Sequence, residues 1–201
     1  MKLYFSPGTC SLAPHIVMRE AGLAFDLEQV DLNTRMTAGG EDYLQIHGRG
    51  QVPLLQLDNG EHLSEGPVIA RFIAELAKAH ALVPPAGSPR RYRVDEWQNF
   101  IGTELHKGYS PLFNGDLDTN AKSVLRGVLR KKYEWLNRQL AKGQYLTGDD
   151  FSAADAYLFV VTRWSQYVDL DLSDLGELQA FMARVAQRPA VQAALSAEGL
   201  A

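Results

Sequence analysis

Val52-Pro53-Leu54-Leu55-Gln56-Leu57-Asp58-Asn59-Gly60 is the stretch on which the fold turns. The apolar run from Val52 to Leu57 reads as a strand. Asp58-Asn59-Gly60 is a strong hairpin signal, because Asn and Gly tolerate the positive φ of tight turns, and His62-Leu63 starts the returning strand. Pro53 has no N–H for a β-ladder, so it either ends a loop or sits in the cis form. A cis bond here would leave the N–H and C=O of Val52 to pair with an extended peptide. Toward the N-terminus, Leu3-Tyr4-Phe5, a helical pattern from Ser11 to Ala21, and Phe25 to Val30 read as strand, helix, strand. On the other side, Pro67, Val68, Ile69, Phe72, Ile73 and Leu76 have helical spacing, with Pro67 near the first turn, where its missing N–H matters least. The predicted order is βαβ followed by ββα.

Leu82-Val83-Pro84-Pro85-Ala86-Gly87-Ser88-Pro89 is rich in Pro, Gly and Ser, and no strand alternation follows it. Residues 81–89 are therefore expected to link an α/β domain over 1–80 to an all-helical domain over 90–201. Val94, Trp97, Ile101 and Leu105 form one apolar stripe, and Leu125, Leu129, Tyr133, Leu136 and Leu140 form another. Ser152-Ala153-Ala154-Asp155 resembles a capping box opening a helix that buries Tyr157, Val160, Val161, Trp164 and Val168. Leu175, Leu178, Met182 and Val185 mark a further helix before Pro189.

The chain has 201 residues, 46% hydrophobic and 22% charged, with a formal net charge of −4. That composition is globular and excludes disordered and collagen-like architectures. An acidic balance argues against a sequence-independent nucleic-acid binder, so Arg130-Lys131-Lys132 is expected to be a solvated helix face. The start Met1-Lys2-Leu3-Tyr4-Phe5 lacks a secretory pattern, the longest apolar run is too short to span a membrane, and one cysteine makes no intrachain disulfide. A cytoplasmic protein with neither nucleic acid nor membrane as partner is expected.

Three places carry residues suited to chemistry. Cys10 follows a strand and the turn formers Ser6, Pro7 and Gly8, near the expected start of a helix whose amides and dipole favour a thiolate. It reads either as a reactive sulfur or as a small buried apolar residue; Ala13 excludes a Cys-x-x-Cys pair. Glu65-Gly66-Pro67 opens a helix, where backbone donors hold a carboxylate and the Glu65 side chain holds an ammonium, or where Glu65 merely offsets the helix dipole. Asn99, Thr103, His106 and Ser110 fall on one helical stripe that is polar but mostly uncharged, either a wet cleft with a proton-transferring His or a plain exposed face. The five histidines have no metal-ligand spacing, and no metal is implied.

These residues, in this order, resemble the cytosolic glutathione S-transferases, specifically the bacterial beta class. The resemblance runs along essentially the whole chain: Pro7-Gly8-Thr9-Cys10-Ser11-Leu12, Gly50-Gln51-Val52-Pro53, Glu65-Gly66, Glu104-Leu105-His106-Lys107, Ala153-Ala154-Asp155-Ala156-Tyr157-Leu158-Phe159 and Ser196-Ala197-Glu198-Gly199-Leu200. It implies a thioredoxin-like βαβ-ββα domain, a C-terminal helical bundle, a homodimer, and glutathione bound in a cleft. By the same resemblance, Cys10 stands beside the glutathione sulfur with His106 close by. Val52, before a cis Pro53, meets the cysteinyl unit, Glu65 and Gly66 grip the γ-glutamyl head, and Asn99 with Thr103, Glu104, Leu105 and His106 supplies the helical side. Arg35 stands where relatives often carry Lys, toward the glycyl carboxylate. Ser152 and Asp155 resemble a folding cap.

A small hydrophobic electrophile would lie among apolar side chains such as Pro7, Leu12, Tyr109, Leu112, Phe113 and Trp164. The implied reaction is attack of the glutathione thiolate on its carbon, with conjugation or halide displacement. Two other readings remain open: monothiol disulfide exchange at Cys10, and a non-catalytic module for hydrophobic ligands or a partner protein.

Overall fold

The computed structural model describes every residue from Met1 to Ala201. The chain divides into two compact units, one comprising Met1–Val83 with Gln187–Ala201 and the other Pro84–Ala186.

The first unit is built on a five-stranded sheet of order β3-β2-β1-β4-β5. Its elements are β1 (Lys2–Phe5), α1 (Leu12–Glu20), β2 (Asp26–Asp31), β3 (Met36–Thr37), α2 (Tyr43–Ile46), β4 (Leu54–Gln56), β5 (His62–Ser64) and α3 (Gly66–Leu76). β1 is central, parallel to β2 with Leu3 opposite Leu27 and antiparallel to β4 with Leu3 opposite Leu55. The crossover α1 accounts for the parallel pair, and the turn at Asp58-Asn59-Gly60 for the antiparallel β4–β5 pair. This is the thioredoxin-like mixed sheet expected from βαβ-ββα. Two short elements, β3 and α2, lie beyond that expectation. The β4 ladder starts at Leu54, one residue after Pro53, which has no N–H to contribute.

The second unit is helical: α4 (Pro89–Phe100), a π-helical segment (Ile101–His106), α5 (Lys107–Tyr109), α6 (Thr119–Leu140), α7 (Ala153–Thr162) and α8 (Gly176–Ala186), with 3₁₀ turns at Ser110–Phe113 and Arg163–Tyr167. α4, α6 and α7 start on caps that the sequence supplies. Ser88 accepts from the Arg91 amide, and Asp118 from the amides of Asn120 and Ala121. At α7 the capping box is present, with the buried Asp155 carboxylate accepting from the Ser152 amide at 2.8 Å, the Ser152 hydroxyl at 2.6 Å and the Leu146 amide at 2.8 Å. Desolvation outweighs those hydrogen bonds and pushes the Asp155 carboxyl up to about 6. α7 is buried along its whole length, and the stripe Leu129, Tyr133, Leu136 and Leu140 of α6 is buried too.

Two expectations are revised. Arg130-Lys131-Lys132 is not simply a solvated face: Arg130 pairs with Asp174 at 2.6 Å and Glu134 at 3.2 Å, and Lys132 with Glu104 at 2.8 Å, leaving Lys131 exposed. The last helix, α9 (Pro189–Ala197), packs on α1 in the first unit instead of extending the helical one. Its docking is polar as well as apolar, since Arg188 grips the Glu20 carboxylate through two nitrogens at 2.6 and 2.8 Å.

Candidate active site

In the first unit, the loop between β1 and α1 is tied to itself by hydroxyls. Thr9 Oγ1 donates to Ser6 O at 2.8 Å, Ser11 Oγ contacts Thr9 Oγ1 at 2.8 Å, and the Ser6 amide donates to Ser11 Oγ at 3.2 Å. Gly8 takes φ +70°, a region that L side chains rarely adopt, which explains a glycine there. Cys10 sits two residues before the first residue of α1 and is half-buried. Its Sγ donates to Val52 O at 3.3 Å across a separation of 42 residues.

Val52-Pro53 is a cis peptide bond. The loop leading to it is held from two directions: the Tyr43 hydroxyl donates to Gln51 O at 2.9 Å, and Arg35 Nη1 donates to Gly50 O. Gly50 itself has φ +58°, and a Cβ there would meet Leu44 Cδ2 at 2.9 Å. Arg35 thus spends one guanidinium nitrogen on the loop that carries Val52. Gly66 opens α3 beside Pro53, with the position of a Cβ 3.8 Å from Pro53 Cγ. Glu65, immediately before it, has φ 71° and ψ 110°, a conformation that costs about 1–3 kcal/mol for a residue other than glycine. Its exposed carboxylate meets Arg49 at 3.1 Å, a pairing between water-facing groups that contributes little to stability. Cys10, Val52, Pro53 and Gly66 are therefore neighbours, with Arg35 acting on the adjoining loop and Glu65 on the adjoining helix start.

In the second unit, the polar stripe runs through the π-helical segment and keeps to the accessible side. Asn99, Thr103 and Ser110 are exposed and His106 is half-buried, while Ile101 and Leu105 are fully buried. Thr103 Oγ1 donates back to Asn99 O at 3.0 Å. Glu104 is held by Lys132 through its carboxylate at 2.8 Å and its carbonyl at 3.0 Å, and the hydrogen bond and charge of Lys132 lower its carboxyl pKa.

His106 is enclosed by aromatics. Its Nδ1 lies 2.6 Å from the Tyr157 hydroxyl, and its ring packs edge-on against Trp164 with centroids 4.8 Å apart. Trp164 also stacks edgewise against Tyr109 at 5.8 Å and Phe113 at 6.2 Å. Of the side chains expected to receive an electrophile, Tyr109 and Leu112 are buried and Trp164 nearly so, whereas Phe113 is 52% exposed. The Tyr109 hydroxyl donates to that of Tyr133 at 3.0 Å, and burial drives its ionisation far above the usual range for a phenol. A cavity of the unit, about 400 Å³, is lined by Trp97, Phe100 and Trp135, side chains distinct from these.

Sequence reasoning passed over several residues that hold these groups. His15, inside the apolar run of α1, meets Glu198 at 2.8 Å, and Glu198 also accepts from the Gly8 amide; the Ser196–Leu200 segment carries the family resemblance, but nothing local in it names these partners. Tyr157 read as core, although a hydroxyl on a fully buried helix is itself a signal that a polar partner is near.

Comparison with known proteins agrees with this geometry. Residues 8–76 match the family model described as "Glutathione S-transferase, N-terminal domain", and residues 91–194 the one described as "Glutathione S-transferase, C-terminal domain". Glutathione S-transferase GstA of Escherichia coli O157:H7 is 46% identical, with all of both chains covered. Glutathione S-transferase GST-4.5 of Xanthomonas campestris is 37% identical, again over all of both chains. Among solved structures, a ternary complex of BphK, described as a bacterial glutathione S-transferase, superposes with a TM-score of 0.96 at 52% identity over the whole of both chains. A sphingomonad glutathione S-transferase complexed with glutathione gives 0.95 at 44% identity, also over the whole of both. A thioredoxin-like sheet carrying Cys10 next to Val52, a separate helical unit, and agreement of this extent over the full length place the chain in the glutathione S-transferase family, among neighbours of the bacterial beta class.

Proposed function

We propose that this glutathione transferase joins the thiolate of glutathione to small hydrophobic electrophiles, by addition or by displacement of a halide. The observation that carries the proposal is the 3.3 Å contact between Cys10 Sγ and Val52 O. It puts a thiol beside the backbone edge on which an extended cysteinyl peptide would pair, so the two sulfurs would be neighbours. Cys10, Val52, Pro53, Glu65, Gly66 and Arg35 then hold the tripeptide. Glu65, kept in a strained backbone at an exposed position, suits an ammonium group better than any role in packing.

On the resemblance, Asn99, Thr103, Glu104, Leu105 and His106 also serve glutathione, and Tyr109, Leu112, Phe113 and Trp164 the electrophile. Donors near the sulfur favour the thiolate over the thiol, and binding both reactants together lowers the entropic barrier. The reading further expects a homodimer in the cytoplasm, with no metal taking part.

A second reading rests on the same contact. A Cys10 thiolate so placed would attack a glutathione mixed disulfide, releasing the partner thiol and forming a Cys10–glutathione disulfide, which a second glutathione thiolate would cleave to oxidised glutathione. Assays of aryl-halide conjugation and of mixed-disulfide reduction, run on wild type, Cys10→Ala and His106→Ala, separate the two. Conjugation lowered at least tenfold in both variants supports the first reading. Loss of disulfide reduction alone in Cys10→Ala supports the second. Full conjugation in both variants would remove these residues from the mechanism.

A further inference from the structure

His106 is held by two constraints of different kinds. The edge-on contact with Trp164, with an interplanar angle of 73°, fixes the plane of the ring. The Tyr157 hydroxyl at 2.6 Å fixes what Nδ1 can do. Tyr157 comes from α7 and is only 7% exposed, so its ring has little freedom to leave the contact. The π-helical segment contributes Gly102, where a Cβ would lie 3.7 Å from the Tyr157 hydroxyl oxygen. A longer side chain there would crowd that oxygen.

A phenol is the stronger acid of the two groups and an imidazole nitrogen the stronger base, so the proton in this contact resides on oxygen and points at nitrogen. A neutral imidazole carries a single N–H. We propose that the Tyr157 hydroxyl donates to His106 Nδ1 and holds the imidazole in its Nε2–H tautomer, making Tyr157 a positioning residue for the transferase reaction. The inference rests on the reading that His106 serves the glutathione sulfur. In that role the tautomer matters, because Nε2–H is a donor that stabilises a thiolate, whereas an unprotonated Nε2 would repel it.

The test is nitrogen NMR of histidine-labelled protein at pH 8, with His106 assigned by substitution, alongside steady-state kinetics. Wild type is expected to show an acceptor-type Nδ1 and a protonated Nε2 at His106. Tyr157→Phe, which keeps the ring and removes only the hydroxyl, is expected to lose that preference. Its kcat in aryl-halide conjugation should fall roughly five- to tenfold, the scale of one net hydrogen bond, with the KM for glutathione within about twofold. Gly102→Val, which crowds the hydroxyl from the other side, should show the same loss of tautomer preference.

A protonated Nδ1 in wild type, or an unchanged tautomer in Tyr157→Phe, overturns the proposal. If His106→Ala lowers kcat and Tyr157→Phe does not, the positioning role fails while the reading of His106 stands. If His106→Ala leaves kcat unchanged, that reading falls, and the positioning role falls with it.

Discussion

Glu198 Oε1 lies 2.8 Å from His15 Nδ1, and both side chains are completely buried. The other carboxylate oxygen takes the Gly8 amide at 3.0 Å, and Arg19 Nε donates to His15 Nε2 at 2.8 Å. Because Nε2 is an acceptor, Nδ1 bears the proton and donates it to Glu198. A residue just beyond α9 therefore holds both the loop carrying Cys10 and the helix that follows it. Replacing Glu198 with Ala removes the acceptor of the fully buried His15 Nδ1–H and the carboxylate contact of the half-buried Gly8 amide, which should destabilise the protein by about 2–4 kcal/mol. Denaturant unfolding checks this; a loss below about 0.5 kcal/mol would show that the carboxylate is dispensable.

Glu65 is predicted to trade stability for function. Glycine adopts φ 71° without steric penalty, so Glu65→Gly should raise unfolding free energy by about 1 kcal/mol, the relief of strain exceeding the added entropy of the unfolded chain. The same variant should bind glutathione at least about tenfold more weakly by isothermal titration, since the carboxylate is gone. Unchanged affinity would detach Glu65 from the ligand.

Asp155 should leave a signature in the pH dependence of stability. Its carboxyl ordinarily titrates at 3.8 and in the folded chain at about 6, so between these values the folded state holds a proton that the unfolded state has lost. Stability from this group is thus complete below about pH 4 and is lost as pH rises through about 6, roughly 3 kcal/mol in all. Asp155→Asn lacks that proton, so the advantage of wild type over the variant should shrink by about this amount from pH 4 to pH 7. A constant difference across the range would contradict the raised value.

The Tyr109 hydroxyl is predicted to act through packing, leaving to the ring any contact with the electrophile. Tyr109→Phe leaves the fully buried Tyr133 hydroxyl short of one partner and should cost about 1–2 kcal/mol, with the KM for an electrophile such as an aryl halide unchanged. A shift in that KM with no loss of stability would instead put the Tyr109 hydroxyl against the substrate.

Much of the fold was legible because its signals are local. The Asp58-Asn59-Gly60 turn, the Pro67 helix start and the Ser152–Asp155 capping box each act within a few residues. β3 and α2 were not, because elements of two and four residues carry no periodicity. The placement of α9 was hidden for a different reason: an apolar face does not name its partner, and the contacts of His15 and Glu198 span 183 residues. The candidate site was legible in its residue types, Cys10, Glu65 and His106, and not in its contacts. Neither the 42-residue reach from Cys10 to Val52 nor the 51-residue reach from His106 to Tyr157 has a local signature.

Return of α9 to the first unit imposes an order on biosynthesis. A nascent chain makes Gly8, His15 and the whole sheet early, yet the carboxylate that accepts from their N–H groups arrives only after the helical unit has been translated. The thioredoxin-like half must therefore wait, incomplete, while the entire helical half is synthesised between its two pieces. Its closure becomes a late, long-loop event of high contact order, vulnerable to a stalled ribosome or to proteolytic trimming of the tail.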